Sequence, residues 1–123
     1  MSLSVVIVDD SELFLDAARD LLERGGVAVL GVASTAAAAL DQVRRLQPDA
    51  VLVDVHLGAE SGLDLVRRLS EDGRCGGSTA ILMSTYTRAD LGGLIDDVPA
   101  AGFVTKGALS VGAVDEIRRR TMS

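Results

Sequence analysis

The sequence predicts an α/β fold, a doubly wound sheet of five parallel strands with helices on both faces. Five short apolar runs recur along the chain, at residues 5–8, 27–32, 50–53, 80–83 and 101–104. They are rich in β-branched residues and alternate little, as strands buried on both faces do. A longer segment with helical spacing follows each run. Five such strand–helix units build a mostly parallel sheet.

The first helical segment carries Leu13, Phe14, Ala17, Ala18, Leu21 and Leu22 on one side, with Arg19, Asp20, Glu23 and Arg24 mostly on the other. Gly25-Gly26 is a plausible stop. The second is predicted over 35–46, buried through Ala36, Ala39, Leu40, Val43 and Leu46, with Pro48 closing the connection. The third begins at Gly62, offers Leu63, Leu65, Val66 and Leu69, and ends in a glycine-rich loop at 72–77. The fourth, over 88–97, is the weakest, because Gly92-Gly93 lies inside it and Pro99 just beyond. A glycine pair costs about 1–2 kcal/mol of helix propensity, so mobility is expected there. The last, over 110–120, buries Val111, Val114 and Ile117. No composition shift, repeat or low-complexity tract divides the chain, and residues 1–123 read as one domain.

A chain of 123 residues hides roughly two-thirds of its unfolded surface on folding, enough for a core without staples. Thirteen Asp and five Glu face eleven Arg and one Lys, a net charge of −6. That argues against a general nucleic-acid or anionic-membrane binder, which needs a basic patch. One cysteine, Cys75, forms no internal disulfide, and a reducing, cytoplasmic setting is the simpler expectation. One histidine, His56, with one cysteine excludes a zinc site of several His or Cys ligands. The opening MSLSVVIVDD lacks the basic start of a signal peptide, and no apolar run is long enough to span a bilayer.

In an open parallel sheet, ligands bind beyond the carboxyl ends of the strands. The first run ends in Asp9-Asp10, the third in Asp54, the fourth in Ser84-Thr85 and the fifth in Thr105-Lys106. Each has a plain structural explanation. Asp10 or Ser11 would cap the first helix, and Ser84, Thr85 or Thr87 the fourth. Asp54 would sit in a turn, and Lys106 would reach from a strand end into water. The combination points further, because independent caps need not fall on strands that converge.

Three nearby carboxylates repel one another unless a cation sits among them. Oxygen ligands select a hard ion, and an open octahedral site suits Mg²⁺, with Mn²⁺ as an alternative. A carboxylate beside such an ion acts as a nucleophile toward phosphorus, with Lys106 and the Ser84 hydroxyl supplying charge and a donor.

The sequence resembles a receiver domain of the two-component response regulators over essentially its whole length. The matching elements are VVIVDD at 5–10, AVLVDVHL at 50–57, Gly62, ILMST at 81–85 and GFVTK at 102–106. Each is weak alone; together, in order, they are specific. The resemblance implies a flavodoxin-like (βα)5 sandwich with strand order 2-1-3-4-5. It implies that Asp54 is the phosphoacceptor, that Asp10 binds Mg²⁺ directly and Asp9 mainly through water, and that the His56 backbone carbonyl is a further ligand. Lys106 would pair with Asp54 and then with the phosphoryl group. Ser84 would bond a phosphoryl oxygen, with Phe103 as the aromatic switch. His56 and Tyr86 hold the positions that tune dephosphorylation, and their bulk implies a long-lived phosphoryl group. A composition that favours arginine yet uses lysine at 106 points to a compact ammonium beside Asp54.

Three positions depart from the family's pattern: Gly58 and Gly107 where proline is common, and Thr85 where a smaller residue is frequent. A trans Lys106-Gly107 bond is expected, since a cis bond without proline costs about 2.5–4 kcal/mol. The implied function is a phosphorylation-controlled switch in a phosphorelay, not a conventional enzyme, that only assists its own phosphotransfer and hydrolysis. Its partners would be a sensor histidine kinase or phosphotransfer protein and an output domain or downstream protein. It would signal through the fourth helix, fifth strand and fifth helix, with phosphorylation-linked homodimerisation as one mode.

The alternatives are a phosphorylation-independent pseudo-receiver or an aspartate-nucleophile phosphatase. The phosphatase fits poorly, because Asp9-Asp10-Ser11 is not its Asp-X-Asp motif and there is no room for a cap. Neither GxGxxG nor GxxxxGK[ST] follows any strand, which leaves a nucleotide-binding module without a phosphate cradle. The terminus Arg118-Arg119-Arg120-Thr121-Met122-Ser123 follows the fifth helix. It is expected to end a single-domain regulator or the receiver part of a longer one. Its arginine triplet suits the negative end of a helix dipole better than nucleic acid.

Overall fold

Successive side chains of a strand point to opposite faces, so the apolar runs can feed two cores at once. The computed structural model describes residues 3–75 and 77–122. Gly76 in the predicted loop, Ser123 at the predicted terminus, and Met1-Ser2 of the opening lie outside the described residues. The chain runs β1 (Ser4–Val8), α1 (Glu12–Arg24), β2 (Ala28–Ala33), α2 (Ala36–Leu46), β3 (Ala50–Asp54), α3 (Gly62–Glu71), β4 (Thr79–Ser84), α4 (Arg88–Leu91), β5 (Gly102–Thr105) and α5 (Val111–Met122). Three-residue and four-residue 3₁₀ segments, Lys106–Ala108 and Gly92–Ile95, follow β5 and α4. A small antiparallel hairpin pairs His56–Leu57 with Glu60–Ser61 after β3.

The sheet is parallel throughout, in the order β2-β1-β3-β4-β5. This is the expected doubly wound, flavodoxin-like architecture. One face packs Val6, Val8, Val51, Val53 and Leu82 against α2 and α3. The other packs Val5, Ile7, Leu52, Ile81 and Met83 against α1 and α5. Leu52 is fully buried in β3, where truncation to Ala costs about 2–5 kcal/mol. At the end of the sheet opposite the Asp54 edge, Asp49 Oδ2 accepts from the Ser4 amide and hydroxyl at 2.9 and 3.1 Å. Asp49 Oδ1 pairs with Arg118 at 3.1 Å, fastening α5 to the sheet.

Two expectations need correction. The buried stripe of α1 is Leu15, Ala18 and Leu22, whereas Leu13 and Leu21 are 83% and 44% exposed. Ser11 caps the helix, its Oγ accepting from the Phe14 amide, and this phase turns Leu13 outward. The fourth helix does not reach residue 97. Its α-helical part stops at Leu91, because Gly92 takes φ +56, a left-handed value that glycine adopts freely, and the chain continues as a 3₁₀ turn. Thr87, not Ser84 or Thr85, caps α4 through a reciprocal pair with Asp90.

Candidate functional site

The register of the sheet assembles the site. Val8 pairs with Val53, so Asp9 follows β1 beside Asp54 at the end of β3. Asp54 pairs in turn with Met83, which brings Ser84 alongside, and Ser84 pairs with Thr105, the residue before Lys106. Four strand ends therefore converge, while β2 ends in Ala33 at the sheet edge. Gly62 opens α3 directly against this edge: a Cβ there would overlap the Asp54 carbonyl oxygen, so only glycine allows the approach.

Asp9, Asp54 and Ser84 are buried, and Asp10 is exposed. Lys106 Nζ lies 2.6 Å from Asp9 Oδ2 and 3.1 Å from Asp54 Oδ2. The other oxygens of the two buried carboxylates meet backbone. The Ser11 amide donates to Asp9 Oδ1 at 2.9 Å, and the His56 amide to Asp54 Oδ1 at 3.2 Å. Ser84 Oγ accepts from the Tyr86 amide at 3.0 Å.

The electrostatics follow from burial. Desolvation pushes the Asp54 carboxyl above the ordinary range; Lys106 and the His56 amide oppose the rise, and the charge of Asp9 adds to it. Burial pulls the Lys106 ammonium down, but hydrogen bonds and charge from Asp9 and Asp54 outweigh it and the net shift is upward. The cluster thus carries one cation against three carboxylates.

A family model described as the response regulator receiver domain matches residues 5–117. The chain belongs to this family. It is 39% identical over 72 residues to the polar-differentiation response regulator DivK of Brucella ovis (strain ATCC 25840 / 63/290 / NCTC 10512), covering 58% of each chain. It is 37% identical over 70 residues to a protein-glutamate methylesterase/protein-glutamine glutaminase of Hahella chejuensis (strain KCTC 2396). That match covers 57% of this chain but only 20% of the relative, so the receiver chain spans about a fifth of that protein. Among solved structures, the signal receiver domain of the putative response regulator NarL from Mycobacterium tuberculosis superposes with a TM-score of 0.84 at 25% identity, covering 96% of this chain and 97% of that one. A CheY-like receiver domain protein from Methanospirillum hungatei JF-1 shares the fold, with a TM-score of 0.79 at 21% identity over 98% and 94% of the two chains.

Receiver domains are phosphorylation-controlled signalling modules of two-component systems, generally without enzymatic activity of their own. They work with histidine kinases or phosphotransfer proteins and with output domains, and they bind Mg²⁺ at an acidic pocket. The pocket of this receiver fits such an ion. Asp9, Asp10 and Asp54 each offer a carboxylate oxygen, all within 4.8 Å of one another. Asp9 Oδ2 is buried and meets Lys106 Nζ at 2.6 Å, the same ammonium that serves Asp54. An all-oxygen set of three carboxylates sharing one ammonium suits a hard divalent cation.

The remaining predicted residues lie around this centre. The His56 ring is exposed and meets the Tyr86 ring edge-on, with centroids 6.4 Å apart and planes at 82°. Tyr86 is itself exposed. Phe103 is half-buried and packs against the core on the α2–α3 face. Among the described residues there is no cis peptide bond, so the Lys106-Gly107 bond is trans. Two neighbours of the site were not legible as such. Phe14 reads as one more apolar residue in the stripe of the first helix, yet its ring lies under Lys106, 4.4 Å from Nζ to the centroid. Glu60, in the loop after Asp54, accepts from the Ala36 amide at the start of α2. No local spacing signals a contact between residues so far apart in sequence.

Among the described residues, no helix is long and apolar enough to cross a membrane.

Proposed function

We propose that this receiver accepts a phosphoryl group onto Asp54 from a phosphohistidine of a sensor histidine kinase or phosphotransfer protein. The observation that carries this reading is the buried Asp54 carboxylate, set against the chain's single lysine beside Asp9 and Asp10. A carboxylate oxygen of Asp54 attacks phosphorus, the P–N bond breaks, and an acyl phosphate forms. Asp9, Asp10, Asp54 and the His56 carbonyl would hold Mg²⁺, which supplies charge to the phosphoryl oxygens. Lys106 holds the acceptor before transfer and a phosphoryl oxygen after it. Ser84 exchanges its bond to the Tyr86 amide for one to the phosphoryl group, and Phe103 turns inward as it does so.

The output would pass through the face of α4, β5 and α5. A groove of about 420 Å³ there, lined by Arg88, Phe103, Glu116, Ile117 and Arg120, supports this choice, since Phe103 is part of its wall. Residues 1–123 act as one receiver unit, alone or within a longer regulator, in the cytoplasm. Phosphorylation-linked homodimerisation is one way to use this face, and nucleic acid is not bound directly. The receiver assists its own transfer and hydrolysis and catalyses nothing else.

Incubation with acetyl phosphate and Mg²⁺ tests the reading by mass. We expect a gain of one phosphoryl group that hydroxylamine removes and that is absent in Asp54→Asn. No gain in the wild type would leave a phosphorylation-independent interaction module instead.

A further inference from the structure

Lys106 is enclosed on more sides than its two carboxylates account for. Its side chain is 15% exposed, although a lysine at a strand end is free to extend into water. Asp9 and Asp54 take the ammonium from the sheet, and the face of Phe14 covers it from α1, 4.4 Å from Nζ to the ring centroid. That distance lies well within the range in which an aromatic quadrupole attracts a cation.

The ring is held in place by the groups that shape the acid cluster. Asp9 Oδ1 accepts from the Ser11 amide at 2.9 Å, and Ser11 Oγ accepts from the Phe14 amide at 3.2 Å. The ring is half-buried and packed against the core beneath α1. One relay of short bonds thus runs from Asp9 through the helix cap to the residue that covers Lys106. The same carboxylate contacts Lys106 through its other oxygen.

We propose that Phe14 is a positioning residue for phosphoryl transfer: its ring face holds the Lys106 ammonium over Asp54 and keeps water from its open side. This rests on the phosphoacceptor reading above. A lysine is a flexible point charge on a four-carbon stem, and a third contact restricts where that charge sits. Phe14 touches no reacting atom, so it acts through Lys106 alone. An aliphatic side chain of similar bulk would fill the space without the attraction, whereas tyrosine would keep it.

The single lysine makes the test specific. A sample labelled with ¹³C-lysine gives one lysine spin system, that of Lys106. In the wild type its Cε protons should resonate upfield through the ring current of Phe14. The displacement should vanish in Phe14→Leu and return in Phe14→Tyr. Phosphoryl uptake from acetyl phosphate at saturating Mg²⁺ should fall roughly three- to tenfold in Phe14→Leu, the kinetic weight of one partly desolvated cation–π contact, and recover in Phe14→Tyr. Mg²⁺ affinity and the unfolding midpoint are measured on all three proteins. Unchanged uptake in Phe14→Leu overturns the role, as does an equal loss in Phe14→Tyr, which would mean that only ring packing matters. If the wild type takes up no phosphoryl group, the phosphoacceptor reading fails first and this role falls with it.

Discussion

Glu60 Oε1 accepts a hydrogen bond from the Ala36 amide at 3.1 Å, so the loop that follows Asp54 is tied to the first turn of α2. The amide is one of the donors that a helix start leaves free, and a carboxylate there also meets the positive end of the helix dipole. Thr35 serves the Ala38 amide in the same turn. Glu60→Ala should therefore cost about 0.5–1 kcal/mol at low salt. Urea unfolding at low and high salt checks this: the loss should shrink with salt, and Glu60→Gln, which keeps an acceptor, should lose less.

Gly62→Ala should be far more damaging than its size suggests. The added Cβ would overlap the Asp54 carbonyl oxygen and come within 3.1 Å of Val55 Cα, both backbone atoms that cannot turn aside. We expect a loss of about 2 kcal/mol or more, as for overpacked cores. Gly73→Ala is the control, because nothing lies within 4 Å of its added Cβ. Equal thermal midpoints for the two variants would contradict the contact.

Asp54 carries a sign that acid titration can read. Its carboxyl is raised in the folded state, first through burial, so the folded protein binds the proton more readily than the unfolded chain. Stability from this group falls as pH rises from the ordinary aspartate range, near 4, through the raised folded value. Asp54→Asn, which has no charge to bury, should be more stable than wild type near neutral pH. The advantage should disappear below the ordinary aspartate range. Mg²⁺ should stabilise the wild type at neutral pH, by about 1.4 kcal/mol at ten times its dissociation constant, and stabilise Asp10→Asn far less. Chemical unfolding across pH, with and without EDTA, measures both.

His56 and Tyr86, two residues past Asp54 and two past Ser84, meet edge to face. On the phosphoacceptor reading of Asp54, two bulky rings at these positions would narrow the approach of an attacking water. Hydrolysis of phospho-Asp54 should be several-fold faster in His56→Asn combined with Tyr86→Ala. Loss of label over time, compared with the wild type, is the measurement, and identical lifetimes would sink the idea.

The sheet was legible because its signal is local: the runs of β1, β3 and β4 are buried on both faces, and strand ends follow directly from run ends. Asp9, Asp10, Asp54, Ser84 and Lys106 could thus be gathered on one edge before any contact was known. What escaped the sequence depends on helix phase or on distant pairs. Leu13 and Leu21 fit the apolar period as well as Leu15 does, and the Ser11 cap, not hydrophobicity, turns them outward. Phe14 fits the core stripe, and nothing in its neighbourhood marks it as the cover of a lysine some ninety residues away in the chain. The fourth helix stops short of 97 because Gly92 takes a positive φ, which propensity alone does not reveal.

The one-turn helix at Arg88–Leu91 has a consequence for how a signal travels. It is shorter than the length at which helices repay their nucleation. Such an element cannot tilt or slide as a rod, for it has no axis to keep. It stands by its Thr87–Asp90 cap and the seating of Leu91 and Ile95, and each is a small increment that can be gained or lost separately. Two residues before that cap's threonine, Thr85 follows the buried hydroxyl of Ser84 directly. On the proposed role of Ser84, a tug on its hydroxyl would be felt as a change in how often the turn is wound, a statistical output rather than a lever.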